Sequence, residues 1–171
     1  MQKVSELIGR PIVSSETGER VGKVVDVLLD SHSNQVVGLV TSGGGLLSSE
    51  QVLPYADVQT LGKDAVVARS GTGVVGSKEW RQQGIDAQRS STLKHRRVLT
   101  TSGRALGEIS DVLLDGTAGT VEAFEVASPT FGGLVQRRSI LPRSSGLTIG
   151  ADAVLVPDEA AVVLENHPKR S

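Results

Sequence analysis

The sequence contains no cysteine among its 171 residues, which removes disulfides, thiolate metal sites, iron–sulfur clusters and cysteine nucleophiles together. Aromatic residues are nearly absent, with one Trp, one Tyr and two Phe, too few for the stacking platforms that bind single-stranded nucleic acids. The three histidines, His32, His95 and His167, stand far apart. Net charge is −1, which argues against a general binder of polyanions. The longest purely apolar stretches are a few residues, such as Val27-Leu28-Leu29, whereas a membrane-spanning helix needs about 20. Met1-Gln2-Lys3-Val4-Ser5-Glu6 has no apolar run behind its lysine and does not read as a secretory signal. A soluble, cytoplasmic protein is the expectation.

What the chain does have is enough apolar residue to fill a core, 38% in all and mostly aliphatic, together with 20 glycines. It is also written twice. Residues 13–30 read VSSETGERVGKVVDVLLD and residues 98–115 read VLTTSGRALGEISDVLLD. A shift of 85 superposes Gly18 on Gly103, Gly22 on Gly107 and Asp26–Asp30 on Asp111–Asp115. Further on, a shift of 88 superposes Leu53-Pro54 on Leu141-Pro142 and Asp64-Ala65-Val66 on Asp152-Ala153-Val154. Two homologous units of about 70 residues follow, the second with three extra residues in one loop; units of that size fold alone only marginally.

Each unit reads as β-structure, since short Val, Ile, Leu and Thr runs alternate with Gly, Asp, Asn and Ser. Strands are expected near Arg10–Ser15, Arg20–Asp30, Gln35–Ser42, Gln51–Leu53, Val58–Leu61 and Asp64–Ala68. Hairpin turns fall at Glu16–Glu19 and Ser102–Arg104, with further turns at His32–Asn34 and Gly116–Gly119. Six short strands with such turns favour a small barrel or sandwich. Val24 and Val27, like Ile109 and Val112, are apolar in both copies yet have opposite strand parity. A β-bulge near Val25-Asp26 and Ser110-Asp111 would reconcile them.

In Leu7-Ile8-Gly9, Gly18…Gly22, Asp26-Val27 and Leu53-Pro54 the chain resembles the PRC-barrel family, named for the cytoplasmic domain of the photosynthetic reaction centre H subunit. Copy two repeats the match at Gly103…Gly107, Asp111-Val112 and Leu141-Pro142, and departs at its start, where Leu93-Lys94-His95 replaces Leu-Ile-Gly. The resemblance covers about 140 residues. It implies a small six-stranded barrel used as a docking surface. Relatives cap the cytoplasmic side of a photosynthetic membrane complex, or bind a ribosomal protein as the second domain of a ribosome-maturation factor. The first role calls for a membrane anchor and the second for a different N-terminal domain; this sequence shows neither, and fold alone does not transfer function.

Motifs that could carry chemistry weigh against catalysis. Gly71-Thr72-Gly73-Val74-Val75-Gly76 is a literal G-x-G-x-x-G. The candidate helix behind it, Ser77–Gln83, has almost no apolar stripe, and the acidic residue a dinucleotide site needs about 20 positions on is missing. The stretch reads as a flexible interdomain linker, and no cofactor is expected. Asp26, Asp30, Asp111 and Asp115 pair at i, i+4, too few oxygens for a hard metal, and read as turn and strand residues, as do Asp64 and Asp152. No nucleophile elbow accompanies the histidines, and the glycine loops lack the Lys-Ser/Thr of a P-loop.

Charge is uneven. Residues 1–75 carry 6 basic and 8 acidic residues, 98–165 carry 4 and 9, and the connector 76–97 carries 6 and 2. Arg89, Lys94, Arg96 and Arg97 dominate that connector; it either lies on the acidic surface of its own barrels or makes a weak contact with RNA or an anionic surface. Trp80 either staples the connector to a barrel or awaits a partner. Leu46, Leu47, Phe131 and Leu134 sit on glycine loops, where they serve docking or fold back over the seam between barrels. The expectation is an all-β protein of two tandem small six-stranded PRC-type barrels, 1–75 and 93–165, with a basic, partly helical linker at 76–92 and a tail at 166–171. It is expected to be no enzyme but a scaffold for a protein partner, with a pseudo-symmetric barrel pair and homodimerisation as a further alternative. A ribosome- or RNA-associated maturation factor and a peripheral partner of a photosynthetic-type membrane complex are the other readings.

Overall fold

The computed structural model describes residues 1–33, 35–43, 49–70, 73–129 and 136–166. The first half runs β1 (Gln2–Lys3), α1 (Val4–Leu7), β2 (Pro11–Ser14), β3 (Arg20–Asp30), β4 (Val36–Ser42), β5 (Glu50–Pro54), β6 (Val58–Leu61), β7 (Val66–Ala68) and β8 (Val75–Gly76). Then come α2 (Ser77–Gln82), β9 (Ala87–Arg89), β10 (Arg97–Thr100), β11 (Ala105–Asp115), β12 (Thr120–Pro129), β13 (Gln136–Pro142), β14 (Thr148–Ile149), β15 (Ala153–Val156) and α3 (Asp158–Asn166). Strands β2–β7 follow the order β6-β7-β2-β3-β4-β5, and strands β10–β15 the order β14-β15-β10-β11-β12-β13. The repeat in the sequence is therefore a repeat of topology: six strands, all-β, each set a curled sheet with one parallel pair, β2 with β7 or β10 with β15.

The chain divides into two compact units, the first made of Met1–Ser91 and Leu114–Thr120, the second of the remaining residues. The first is cored by Leu7, Ile12, Val27, Leu29, Leu39, Leu53 and Val66, all fully buried. The second is cored by Val98, Ile109, Phe124, Leu141, Val154 and Val156, likewise fully buried, and α3 sets Ala160, Ala161 and Leu164 against it. The turns form where expected: Gly18 and Gly103 take φ of 70° and 89°, a region open to glycine without steric cost.

The bulge expected in β3 is present. Val24 pairs with Thr41 but Asp26 with Val40, which leaves Val25 as the extra residue. The parity of the strand flips there, so Val24 and Val27 both face the core. The amide of Val27 donates to Asp26 Oδ1 at 2.8 Å, and in the second copy Val112 N donates to Asp111 Oδ1 at 2.9 Å. The aspartates shared by the two copies thus satisfy a backbone donor, as buried N–H groups require. Asp30 and Asp115 instead close turns, accepting from His32 N and Ser33 N, and from Thr117 N and Ala118 N. These bonds hold both carboxyls below their ordinary range.

The connector is not a flexible tether. Its helix spans Ser77–Gln82, but β8 pairs with β5 before it and β9 pairs with β3 after it. Asp26 clasps the far end, accepting from Ser90 Oγ at 2.6 Å and from Ser91 N at 3.3 Å. A single apolar residue, Trp80, holds the helix down, which is why the segment shows no stripe in the sequence.

Candidate functional site

The most differentiated surface of the first unit is the outer face of β3, β4 and β5. On a half-buried sheet this face would be polar. Here Leu28, Val40 and Val52 occupy it, and Trp80 of α2 lies over them to form a second apolar cluster, with Val25, Val37, Val75 and Ala87 around it. Gly38 makes that approach possible: a Cβ there would stand 2.8 Å from Val52 Cγ1 and 3.5 Å from Trp80 Cη2. The indole is 7% exposed, so it serves as wall and not as protruding anchor.

Trp80 does not cover the face completely. A groove of about 230 Å³ remains, floored by Leu28, Val40 and Val52 and rimmed by Arg81, Ile85 and Arg89. Ile85, at 37%, is among the exposed large apolar residues. Arg89 of β9 reaches across the mouth to Glu50 of β5; its Nη1 donates to Oε1 at 3.3 Å and its Nη2 donates to Oε2. The fork holds the Glu50 carboxyl below its ordinary range and raises the Arg89 guanidinium further. With side chains 39% and 45% exposed, the pair sits in water and adds at most about 1 kcal/mol to stability. Its effect is to latch the groove mouth.

The second copy builds its equivalent face differently. By the repeat register Val40 corresponds to Glu125 and Glu50 to Arg138. Glu125 is 1% exposed, accepts from Arg138 Nη1 at 3.0 Å and from Ser110 Oγ at 3.0 Å. A buried carboxylate is tolerable only when paired and hydrogen-bonded in this way.

The residues singled out from sequence scatter. Trp80 and Arg89 meet in the groove. Lys94, Arg96 and Arg97 belong to the second unit: Lys94 and Arg97 are exposed, while Arg96 donates to Gly150 O at 2.8 Å and Thr92 O at 3.1 Å. Leu46, Leu47, Phe131 and Leu134 lie outside the described residues, as does Gly71-Thr72 of the glycine motif. The last two residues of that motif, Val75 and Gly76, are β8, paired to β5. Sequence reasoning missed Glu50, Arg81, Ile85, Glu125 and Arg138. The signal for three of them was present: aligning the copies opposes Val40 to Glu125 and Glu50 to Arg138, changes of polarity and sign at equivalent strand positions.

A larger cleft of about 690 Å³ lies by Tyr55, Arg69 and Gly116. Tyr55 spans it, its hydroxyl donating to Gly116 O at 3.1 Å and its ionisation pushed up by burial. One arginine does not make an anion site there. Among the described residues no group of three or more His, Cys, Asp or Glu converges on a metal position, and no helix is long and apolar enough to cross a membrane. A comparison with curated proteins finds no match. The model of the PRC-barrel domain matches residues 1–75 and again 86–163. With both copies so matched and built on the same strand order, the chain belongs to the PRC-barrel domain family.

Proposed function

We propose that this tandem PRC-barrel protein is a non-enzymatic interaction scaffold whose partner, another protein, docks in the groove beneath Trp80. The observation that carries the reading is an apolar recess of about 230 Å³ kept open on the outer face of a sheet and ringed by Arg81, Ile85 and Arg89. At that size it falls below the roughly 300–1,000 Å³ of ordinary small-molecule sites. Its one lining carboxylate, Glu50, is paired with Arg89, and Asp26 of β3 accepts from Val27, Ser90 and Ser91. Among the described residues, these carboxylates are engaged in structural bonds and not aimed at a nucleophile.

The test uses the full chain as bait in native lysate at moderate salt, wild type beside Ile85→Asp, with and without ribonuclease. A protein captured by wild type, insensitive to ribonuclease and lost with Ile85→Asp, supports docking at the groove. Capture that disappears with ribonuclease or with Arg97→Gln, but not with Ile85→Asp, supports an RNA-associated role instead.

A further inference from the structure

We infer that the groove recognises a partner segment in which a branched or aromatic apolar side chain stands next to an acidic residue. The inference rests on the docking reading above and adds the chemistry of what docks. A cavity of roughly 150 Å³ lined by aliphatic groups accepts a benzene-sized group; the groove, at about 230 Å³, takes one large side chain. Its apolar surface is recessed, suited to a knob from a protein and not to the flat face of a bilayer. Its aromatic wall is 7% exposed, which leaves no platform on which a base could stack.

Charge supplies the second half. Two guanidiniums, Arg81 and Arg89, line the groove against one carboxylate, Glu50. The fork of Arg89 already grips a carboxylate, that of Glu50. Glu50 thus marks the place a partner's carboxylate takes, and the exposed, weakly held pair exchanges one carboxylate for another at little cost. Glu50 is a positioning residue in this scheme: it keeps the fork aligned and competes with the incoming acid.

Trp80 is the sole tryptophan of the chain, so its emission reads groove occupancy directly. The experiment titrates the full chain with short synthetic peptides carrying a central Leu or Phe flanked by Glu, Gln or Lys. Saturable change of Trp80 emission with the Glu-flanked peptides is expected. Binding should weaken about tenfold with Gln flanks or with Arg89→Gln, the scale of one lost charge-assisted bond. Glu50→Gln, which removes the internal competitor, should tighten binding by about threefold or more. Equal binding of Lys-flanked peptides overturns the inference. So do unchanged or weaker binding by Glu50→Gln, a Trp80 response to an RNA oligomer or anionic vesicles in place of the peptides, and a response to protein concentration alone, which would name a second copy as the occupant. If lysate capture requires Ile85 while no acidic peptide binds, the docking reading stands and this inference falls. Capture indifferent to Ile85→Asp removes the docking reading itself.

Discussion

Two faces built on equivalent strands differ at several positions, Val25/Ser110, Val37/Glu122, Gly38/Ala123, Val40/Glu125 and Glu50/Arg138 among them. In the first unit Val40 and Val52 sit under Trp80 beside an exposed Arg89–Glu50 pair. In the second, Glu125 replaces Val40 and Arg138 replaces Glu50, and the ion pair moves onto the sheet itself, its carboxylate 1% exposed. An apolar floor can be left partly open at small cost, because surface apolar residues are ordinary. A buried carboxylate cannot be uncovered or left unpaired so cheaply. The duplication therefore leaves one face with an apolar floor partly open and one committed to an internal pair.

The comparison is most sharply broken by Trp80→Ala, which removes the cover of the first face. It should cost about 3–5 kcal/mol, the range for large aromatic truncations, read by denaturant unfolding. Next comes Val40→Glu, which writes the second copy's residue into the first and sets a carboxylate beside Glu50. A loss of about 2–4 kcal/mol is expected, and adding Glu50→Arg should restore part of it by recreating the Glu125–Arg138 arrangement. If the double variant is no more stable than the single, the two faces are not interchangeable in the way the register implies. In the second copy, Arg138→Ala should cost about 2 kcal/mol or more by stranding a buried carboxylate, whereas Glu125→Val should stay within about 1 kcal/mol of wild type, because the partner left behind, Arg138, is 54% exposed and stays hydrated.

The smallest effect is one of pH. The Glu50 carboxyl is held below its free value of 4.5 by Arg89, so whatever stability the pair contributes is present above that value and fades as pH falls through the lower, folded one. Thermal melts between neutral and acid pH should show a shallower acid decline in Glu50→Gln than in wild type. The turn aspartates Asp30 and Asp115 titrate in the same direction and remain in both proteins, so the difference isolates Glu50.

Much of the scaffold is legible in the sequence, for local reasons. β3 and β6 span Arg20–Asp30 and Val58–Leu61 as expected, because turn glycines and apolar runs bound them. The bulge is legible because Val24 and Val27 cannot both face a core along an unbroken strand. The seventh strand begins at Val66 and not at Asp64, the Gly62–Asp64 turn being one residue pair longer than propensity suggests. The groove was far less visible. Trp80 anchors α2 alone, and one residue makes no period; its seat depends on Gly38, 42 positions earlier in the chain. Arg89 and Glu50 are 39 residues apart, and pairing at that separation is set by strand order, not by spacing.

The most direct measurement places a photo-crosslinking amino acid at position 85, on the groove rim, and separately at position 162, where Val162 is 56% exposed on α3. Irradiation of the full chain in native lysate should give a discrete protein adduct from position 85 that Arg89→Glu abolishes, with none from position 162. An adduct from position 162 alone would contradict docking at the groove, and one from position 85 that survives Arg89→Glu would contradict recognition of an acidic segment there.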